Sequence, residues 1–159
     1  PGILYHEIPR FAPECFAFLH NTTPAQYKRF RTGLDDLLRE GVAQTFTIHD
    51  APQRVPLLGA VGPLQFDVLQ FRLKAEYGAE SRLEPKAWKY IRWVAPEAAA
   101  ELATAAFPTG VKTGADEHGQ LVVLFDEEWV LNYFVQHNPK VRLGKLPAPR
   151  PPPAKRKAR

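Results

Sequence analysis

Asp126, Glu127 and Glu128 form a carboxylate cluster of the kind that general acid–base chemistry uses. The three stand immediately before a run of helical periodicity. At a helix start, negative charge is favoured by the dipole, and Asp caps the free amides. His6, His20, His49, His118 and His137 are scattered, with no His-x-x-x-His pair and no cysteine or carboxylate at metal-ligand spacing. His118 before Gly119 reads as a hairpin residue. The chain has no Gly-x-x-x-x-Gly-Lys-Ser/Thr loop, no Gly-x-Ser-x-Gly elbow and no Cys-His nucleophile pattern. Two motifs suit nucleic acid instead. Gly59-Ala-Val-Gly62 has the Gly-x-x-Gly spacing found where backbone amides cradle phosphates, although residues 59 to 64 contain no Lys, Ser or Thr. Lys86-Ala-Trp-Lys-Tyr-Ile-Arg-Trp93 interleaves aromatic and basic residues. On a strand, Trp88, Tyr90 and Arg92 would share one face, and Lys89, Ile91 and Trp93 the other. Such a face can stack bases or serve as half-buried core.

These motifs are positioned by a regular alternation of elements. Glu14 to His20 reads as a strand, and Thr23-Pro24-Ala25-Gln26 as a capping box with proline at the first helical position. Tyr27, Phe30, Leu34, Leu37 and Leu38 then recur at helical spacing until Gly41. Val42 to His49 alternates like a half-buried strand, and Pro56 to Val61 is a short apolar strand. Gly62 is expected to reverse the chain with a positive φ, and Pro63 to open a helix to Tyr77 whose exposed side carries Asp67, Arg72, Lys74 and Glu76. A strand over Ala79 to Leu83 completes two split β-α-β units, the pattern of a ferredoxin-like sandwich. The predicted core is Phe16, Phe18, Phe30, Leu34, Leu37, Leu38, Phe46, Leu57, Leu58, Leu64, Val68, Leu69 and Leu73.

The rest reads as a second, smaller α+β unit over residues 86–143. It comprises a strand at Trp88 to Val94, an alanine-rich helix at Pro96 to Ala106, and a hairpin of Val111 to Gly114 with Gln120 to Phe125. A helix capped by Asp126 and bearing Trp129, Tyr133 and Phe134 follows, then an edge strand at Val141 to Leu143. The halves share a plan but no obvious sequence repeat.

The composition of this 159-residue chain is that of a soluble globular protein. No basic-then-apolar leader and no run of eighteen apolar residues is visible, and the single Cys15 suits a reducing compartment, so an intracellular location is expected. The chain begins at Pro1 and contains no methionine, so it reads as either a processed product or, the favoured reading, a piece of a longer protein. Its net charge of +4 is unevenly placed. Six of the 21 Lys and Arg residues follow Gly144, which leaves 15 against 17 acids before it. Those six, Lys145, Arg150, Lys155, Arg156, Lys157 and Arg159, are interspersed with five prolines, so residues 144–159 are expected to form a disordered arm able to touch phosphate backbones.

Several stretches resemble the C-terminal domain of the bacterial class II, GTP-hydrolysing peptide chain release factors (release factor three). They are Phe11-Ala-Pro-Glu14, Gly33-Leu34 with Leu37, Glu40 and Gly41, Gln44 with Phe46, Gly59 to Val68, and Arg72-Leu73-Lys74 with Glu76 and Tyr77. Arg92-Trp93-Val94, Asp116 with Gly119, Trp129, Leu131 and Pro139 continue the likeness, which spans about Phe11 to Val141. The third domain of elongation factor G has a related glycine turn and Arg-Leu-Lys helix, which agrees with a ferredoxin-like fold for residues 11–85. The resemblance implies a cytoplasmic protein whose GTPase domain and barrel precede this chain, with residues 1–10 ending the barrel or its linker. GTP and magnesium would be bound there, so that no catalytic, cofactor or metal residue falls here and no small-molecule ligand is expected. It further implies ribosomal RNA and protein as partners, with class I release factors affected indirectly.

Lys28, Arg29, Arg31, Arg72 and Lys74, with the six tail cations, are the candidate ribosome contacts. A stand-alone RNA-binding module using the Trp88 to Trp93 strand is the alternative. A small-molecule-sensing ferredoxin-like domain is a third reading, without ligand residues to name.

Overall fold

A computed structural model describes residues 12–50 and 55–148. Eight strands form one antiparallel sheet: β1 (Cys15–Asn21), β2 (Gln44–Ile48), β3 (Leu57–Ala60), β4 (Ser81–Lys86), β5 (Tyr90–Val94), β6 (Lys112–Asp116), β7 (Leu121–Phe125) and β8 (Leu143–Gly144). Four helices interrupt them: α1 (Tyr27–Arg39), α2 (Leu64–Tyr77), the single turn α3 (Ala99–Leu102) and α4 (Glu128–His137).

The strand order β4-β1-β3-β2-β6-β7-β5-β8 reads the same way from either edge. In the first half, β-α-β-β-α-β is laid down as 4-1-3-2, the ferredoxin-like arrangement the sequence predicts. The second half repeats it, with β5, β6, β7 and β8 taking the places of β1, β2, β3 and β4. The two units meet through their second strands, β2 pairing antiparallel with β6 from Phe46↔Asp116 to Ile48↔Gly114. The smaller unit is therefore a continuation of the same sheet.

Alternation along the strands sorts three cores. Ala17, Leu19, Leu58 and Ala60 meet Phe30, Leu34 and Leu37 of α1 and Phe66, Leu69 and Leu73 of α2. Val123 and Phe125 likewise lie under Val130, Leu131 and Phe134 of α4, with Ala98 and Leu102 beside them. The helix-free faces of both units share the third core, in which Phe16, Phe46, Ile48 and Leu57 meet Trp88, Ile91, Trp93, Val122 and Leu124. Phe46 lies 6.3 Å from Trp93 and Phe18 lies 6.5 Å from Trp88 between ring centroids. The long sheet thus encloses its own apolar side and carries its helices outside, burying both faces as an apolar strand such as β3 requires.

Close approaches are made at small residues. Gly33 on α1 leaves room for α2, since a Cβ there would stand 2.6 Å from the ring of Tyr77. Gly114 on β6 faces the Thr47 carbonyl of β2, where a Cβ would collide with the backbone of the neighbouring strand.

Several expectations are corrected at element ends. Gly62 does not have a positive φ. Instead its N–H donates to Gln65 Oε1 at 3.0 Å, so a side chain organises the turn, and Pro63 takes the N-cap position with the helix starting at Leu64. Thr23 makes no side-chain cap. Pro24–Gln26 forms a 3-10 turn, and Asn21 contacts both backbone groups of Thr23. Asp126 does not cap α4 either. Glu127 takes that place, and its carbonyl accepts from Val130 and Leu131. The alanine-rich helix closes at Leu102 rather than Ala106. The Asn138 amide binds both the N–H and the carbonyl of Ala106, holding it off the helical path. Gly144 belongs to β8, and Ala148 N–H donates to Gln120 Oε1 at 3.2 Å, so the ordered fold continues past the expected start of the arm.

Predicted core residues are buried or half-buried with two exceptions: Leu64 is 70% and Val68 43% exposed. Phe66, absent from the predicted core, is buried in their stead. Helix α2 has two opposed apolar arcs, and periodicity cannot tell which arc meets the sheet.

Candidate functional site

Helices α1 and α2 run antiparallel, and a polar ladder fastens them. Tyr77 donates its hydroxyl to Asp36 Oδ2 at 2.9 Å, and Arg39 reaches the other oxygen at 2.9 Å. The Tyr77 bond, then Arg39, hold the Asp36 carboxyl below its ordinary range, while the same bond pushes the phenol up. One turn away, Arg72 forks between Glu76 and Glu40 with a 2.7 Å contact to each. This pairing raises the guanidinium pKa and lowers that of Glu76. Such a bidentate arrangement suits arginine geometry and leaves Arg72 internally neutralised.

The predicted contact residues consequently divide. Arg31 pairs with Asp35 at 3.3 Å and Lys74 with Glu80 at 3.5 Å, both exposed. Lys28 and Arg29, exposed on the first turn of α1, have no carboxylate partner among the described residues. Arg29 reaches toward Gly78, the left-handed cap of α2, so its charge stands near a helix C-terminus. Lys145 is exposed and follows β8, the strand at the other end of the sheet order from β4. Arg150, Lys155, Arg156, Lys157 and Arg159 are outside the described residues. The helix-borne cations and Lys145 therefore belong to different units.

The aromatic segment is divided by burial. Trp88 precedes β5 and is 8% exposed, while Trp93 is 2% exposed and donates its indole N–H to Asp116 Oδ2 at 3.0 Å. Tyr90 borders the core beneath α4. Burial depresses the pKa of Arg92, against the opposing pull of Tyr90 and Glu128, and its Nη1 donates to the carbonyl of Ile91 at 2.8 Å. Trp88, Ile91 and Trp93 fill the seam between the units while Tyr90 and Arg92 lie on the α4 side, so the segment presents no continuous stacking face among the described residues.

The Gly59-x-x-Gly62 segment is no phosphate cradle, since Gly59 is buried in β3 against Phe46 and Pro13. His118 stands in the β6–β7 turn as expected, where Gly119 is left-handed and Asp116 Oδ1 accepts from His118 and Gln120 N–H groups. Among the described residues no group of three or more His, Cys, Asp or Glu is arranged to hold a metal, and no helix is long and apolar enough to cross a membrane.

Two exposed groups escaped the sequence reading. Val61, Leu64, Val68 and Phe71 form an apolar stripe along α2, while Trp129 and Tyr133 stand on α4, the latter stacked on His137 with centroids 3.9 Å apart. The first was legible as a second apolar arc in α2.

Comparison with known proteins places this fold. Residues 5–135 match the family model described as "Class II release factor RF3, C-terminal domain". A peptide chain release factor 3 of Microcystis aeruginosa is 43% identical over 143 residues, covering 89% of this chain and 26% of that protein. Its counterpart in Synechocystis sp. is 45% identical over 130 residues, covering 81% and 23%. The Gloeobacter violaceus protein is 37% identical over 144 residues, covering 91% and 27%. This chain spans about a quarter of the length of these relatives. It belongs to the family of class II release factor C-terminal domains.

Proposed function

We propose that this chain is the C-terminal, ribosome-binding domain of a cytoplasmic class II peptide chain release factor, a GTPase that promotes GTP-dependent removal of class I release factors in translation termination. The observation that carries the proposal is the family match across residues 5–135, in relatives roughly 40% identical and named as release factors.

Nucleotide chemistry belongs, in this reading, to the remaining three-quarters of such a protein, where GTP and magnesium would bind. The contribution of this domain is contact. Lys28 and Arg29, without a carboxylate partner among the described residues, offer positive charge to ribosomal RNA phosphates, with Lys145 and the arm beyond it as a second point of attachment. Arg31, Arg72 and Lys74 would contribute after exchanging a carboxylate for a phosphate.

The stand-alone RNA-module reading requires an accessible aromatic face. Burial of Trp88 and Trp93 disfavours it.

The test uses the intact gene product. A phosphate-binding Gly-x-x-x-x-Gly-Lys-Ser/Thr peptide upstream of Pro1, with ribosome-stimulated GTP hydrolysis and faster dissociation of a class I factor from post-release ribosomes, is the expected result. A gene product with no such region, or one that leaves class I factor dissociation unchanged, overturns the proposal.

A further inference from the structure

Helix α4 carries a row of rings that the described fold leaves uncovered. Trp129, Tyr133 and His137 recur every fourth residue and so share one side of the helix. Trp129 is 66% and Tyr133 47% exposed, whereas the neighbouring Val130 and Phe134 are buried. Two of the rings are set in advance. Tyr133 and His137 stack with centroids 3.9 Å apart, and His137 Nδ1 donates to the Tyr133 carbonyl at 2.9 Å. Asp126, Glu127 and Glu128 stand just before Trp129. None of the three has an ion-pair partner among the described residues, Arg92 feeling Glu128 only at longer range.

Exposed rings of this kind take bases, cations or the faces of proline rings. The carboxylates at the head of the row repel phosphate, which disfavours a nucleic-acid strand and favours a basic peptide. A proline-rich peptide has a further advantage, because a polyproline helix is preformed and docks on aromatic surfaces at low entropic cost. One stretch of the chain has both properties: Pro151-Pro152-Pro153, followed by Lys155-Arg156-Lys157.

This stretch sets out from the matching end of α4. Trp93 pairs with Val122 of β7 and with Gly144 of β8, so the beginnings of β7 and β8 flank the end of β5. Helix α4 begins where β7 ends and returns through residues 138–142 to the beginning of β8, which puts His137 toward the Gln120 end of β7 and Trp129 toward Phe125. Ala148 lies at the Gln120 end as well. Its N–H donates to Gln120 Oε1 at 3.2 Å, and Gln120 Nε2 donates to the Val94 carbonyl at 3.3 Å. A chain leaving Ala148 along α4 meets His137 and Tyr133 before Trp129 and the carboxylates, in the order in which it offers prolines and then cations. Its reach is sufficient. Residues 149–159 extend about 30 Å as a polyproline helix, against about 15 Å for the length of α4. Tethering also supplies an effective concentration of about millimolar.

We infer that residues 149–159 fold back along α4, with Pro151–Pro153 on the rings of Tyr133 and Trp129, and Lys155, Arg156 and Lys157 against Asp126, Glu127 and Glu128. The docked segment withholds its cations from phosphate until a stronger polyanion draws them off. The inference goes beyond the release-factor reading and does not depend on it.

The test is photocrosslinking in the intact gene product at high dilution, without ribosomes, from a benzophenone amino acid in place of Ala154. The expected result is an intramolecular adduct on the peptide containing residues 126–137, several-fold above adducts elsewhere in the protein. Two variants should each lower it several-fold: Trp129→Ser with Tyr133→Ser, and, with α4 untouched, Lys155→Glu with Arg156→Glu and Lys157→Glu. An unchanged thermal transition shows that the ring variant is folded. Adducts spread evenly over the surface, adducts only between two copies, or a yield indifferent to both variants would each overturn the inference. So would single-stranded RNA binding that is lost with the two rings while α4 gives no adduct with the arm.

Discussion

The ring of Phe46 on β2 meets the indole of Trp93 on β5 at 6.3 Å and 56°, across the seam between the two ferredoxin-like units. Each unit buries its helix-free face only by using the other. The two should therefore unfold together although their sequences do not repeat. Phe46→Ala should cost about 3–5 kcal/mol and shift helix circular dichroism and tryptophan fluorescence by the same amount. Two separated transitions, or a midpoint unchanged within error, would contradict the shared core.

The β2–β6 junction tolerates no side chain at Gly114, where a Cβ would run into the carbonyl of Thr47. Gly114→Ala should destabilise by about 1–3 kcal/mol or more, because a backbone neighbour cannot rotate away. Gly62→Ala is the contrasting case. Its φ is not left-handed and no atom lies within 4 Å of the added methyl, so urea midpoints should separate the two variants clearly.

Helix α2 supplies a third prediction. Phe66→Ala should cost about 3–5 kcal/mol and Phe71→Ala no more than about 0.5 kcal/mol, although both are phenylalanines in one helix. Thermal unfolding of the two variants measures this directly, and comparable losses would mean that the buried arc has been misassigned.

This same helix marks the limit of what the sequence discloses. Alternation in β1 and β2, the Phe30–Leu34–Leu37 spacing of α1 and the stop at Gly41 each had one physical reading, and the first unit follows from them. Leu64 and Val68 read as core because α2 is apolar on both sides, and local periodicity contains no information about which side the sheet covers. Pairing of β2 with β6 is equally hidden, since residues 46–48 and 114–116 are remote in sequence and carry no local pattern that names each other as partners. The neutralisation of Arg72 likewise depends on Glu40, thirty-two residues away, so the cation looked free in a linear reading.

Acid should reveal the α1–α2 ladder. The Asp36 carboxyl is held below its ordinary 3.8 by the Tyr77 bond and then by Arg39. Glu76 is held below 4.5 by Arg72, and Glu84 below 4.5 by the His20 bond and then by Lys86. In each case the folded state releases its proton at a lower pH than the unfolded state. The contribution is therefore complete above these ordinary values and is lost as pH falls through the folded ones. Tyr77→Phe keeps the ring against Gly33 but removes the largest cause acting on Asp36. Urea midpoints followed from about pH 6 to about pH 2 should fall less steeply in this variant. An unaltered acid limb would show that the bond does not persist in solution.

The ionic contacts proposed for the ribosome can be separated by their partners. Lys28 and Arg29 have no carboxylate partner among the described residues, so Lys28→Ala with Arg29→Ala in the intact protein should cost no more than the ~0.3–1 kcal/mol of the Arg29 charge near the end of α2. If both meet phosphates, the double variant should also flatten the slope of log affinity against log salt by somewhat under about one unit per charge. Arg72→Gln should do the reverse, weakening the fold through Glu40 and Glu76 and moving the salt slope less, because its charge is already spent within the domain. The arm requires a cut placed by the structure. Removal from residue 144 onward would take Gly144 from β8 and the Ala148 bond from Gln120, confusing damage with lost contact, whereas truncation after Ala148 removes only Arg150, Lys155, Arg156, Lys157, Arg159 and uncharged neighbours. Ribosome affinity measured across salt should then fall and flatten with an unchanged thermal midpoint. A truncated protein whose salt slope equals that of the full chain would exclude the arm from phosphate contact and leave Lys28 and Arg29 as the basic contact to be tested.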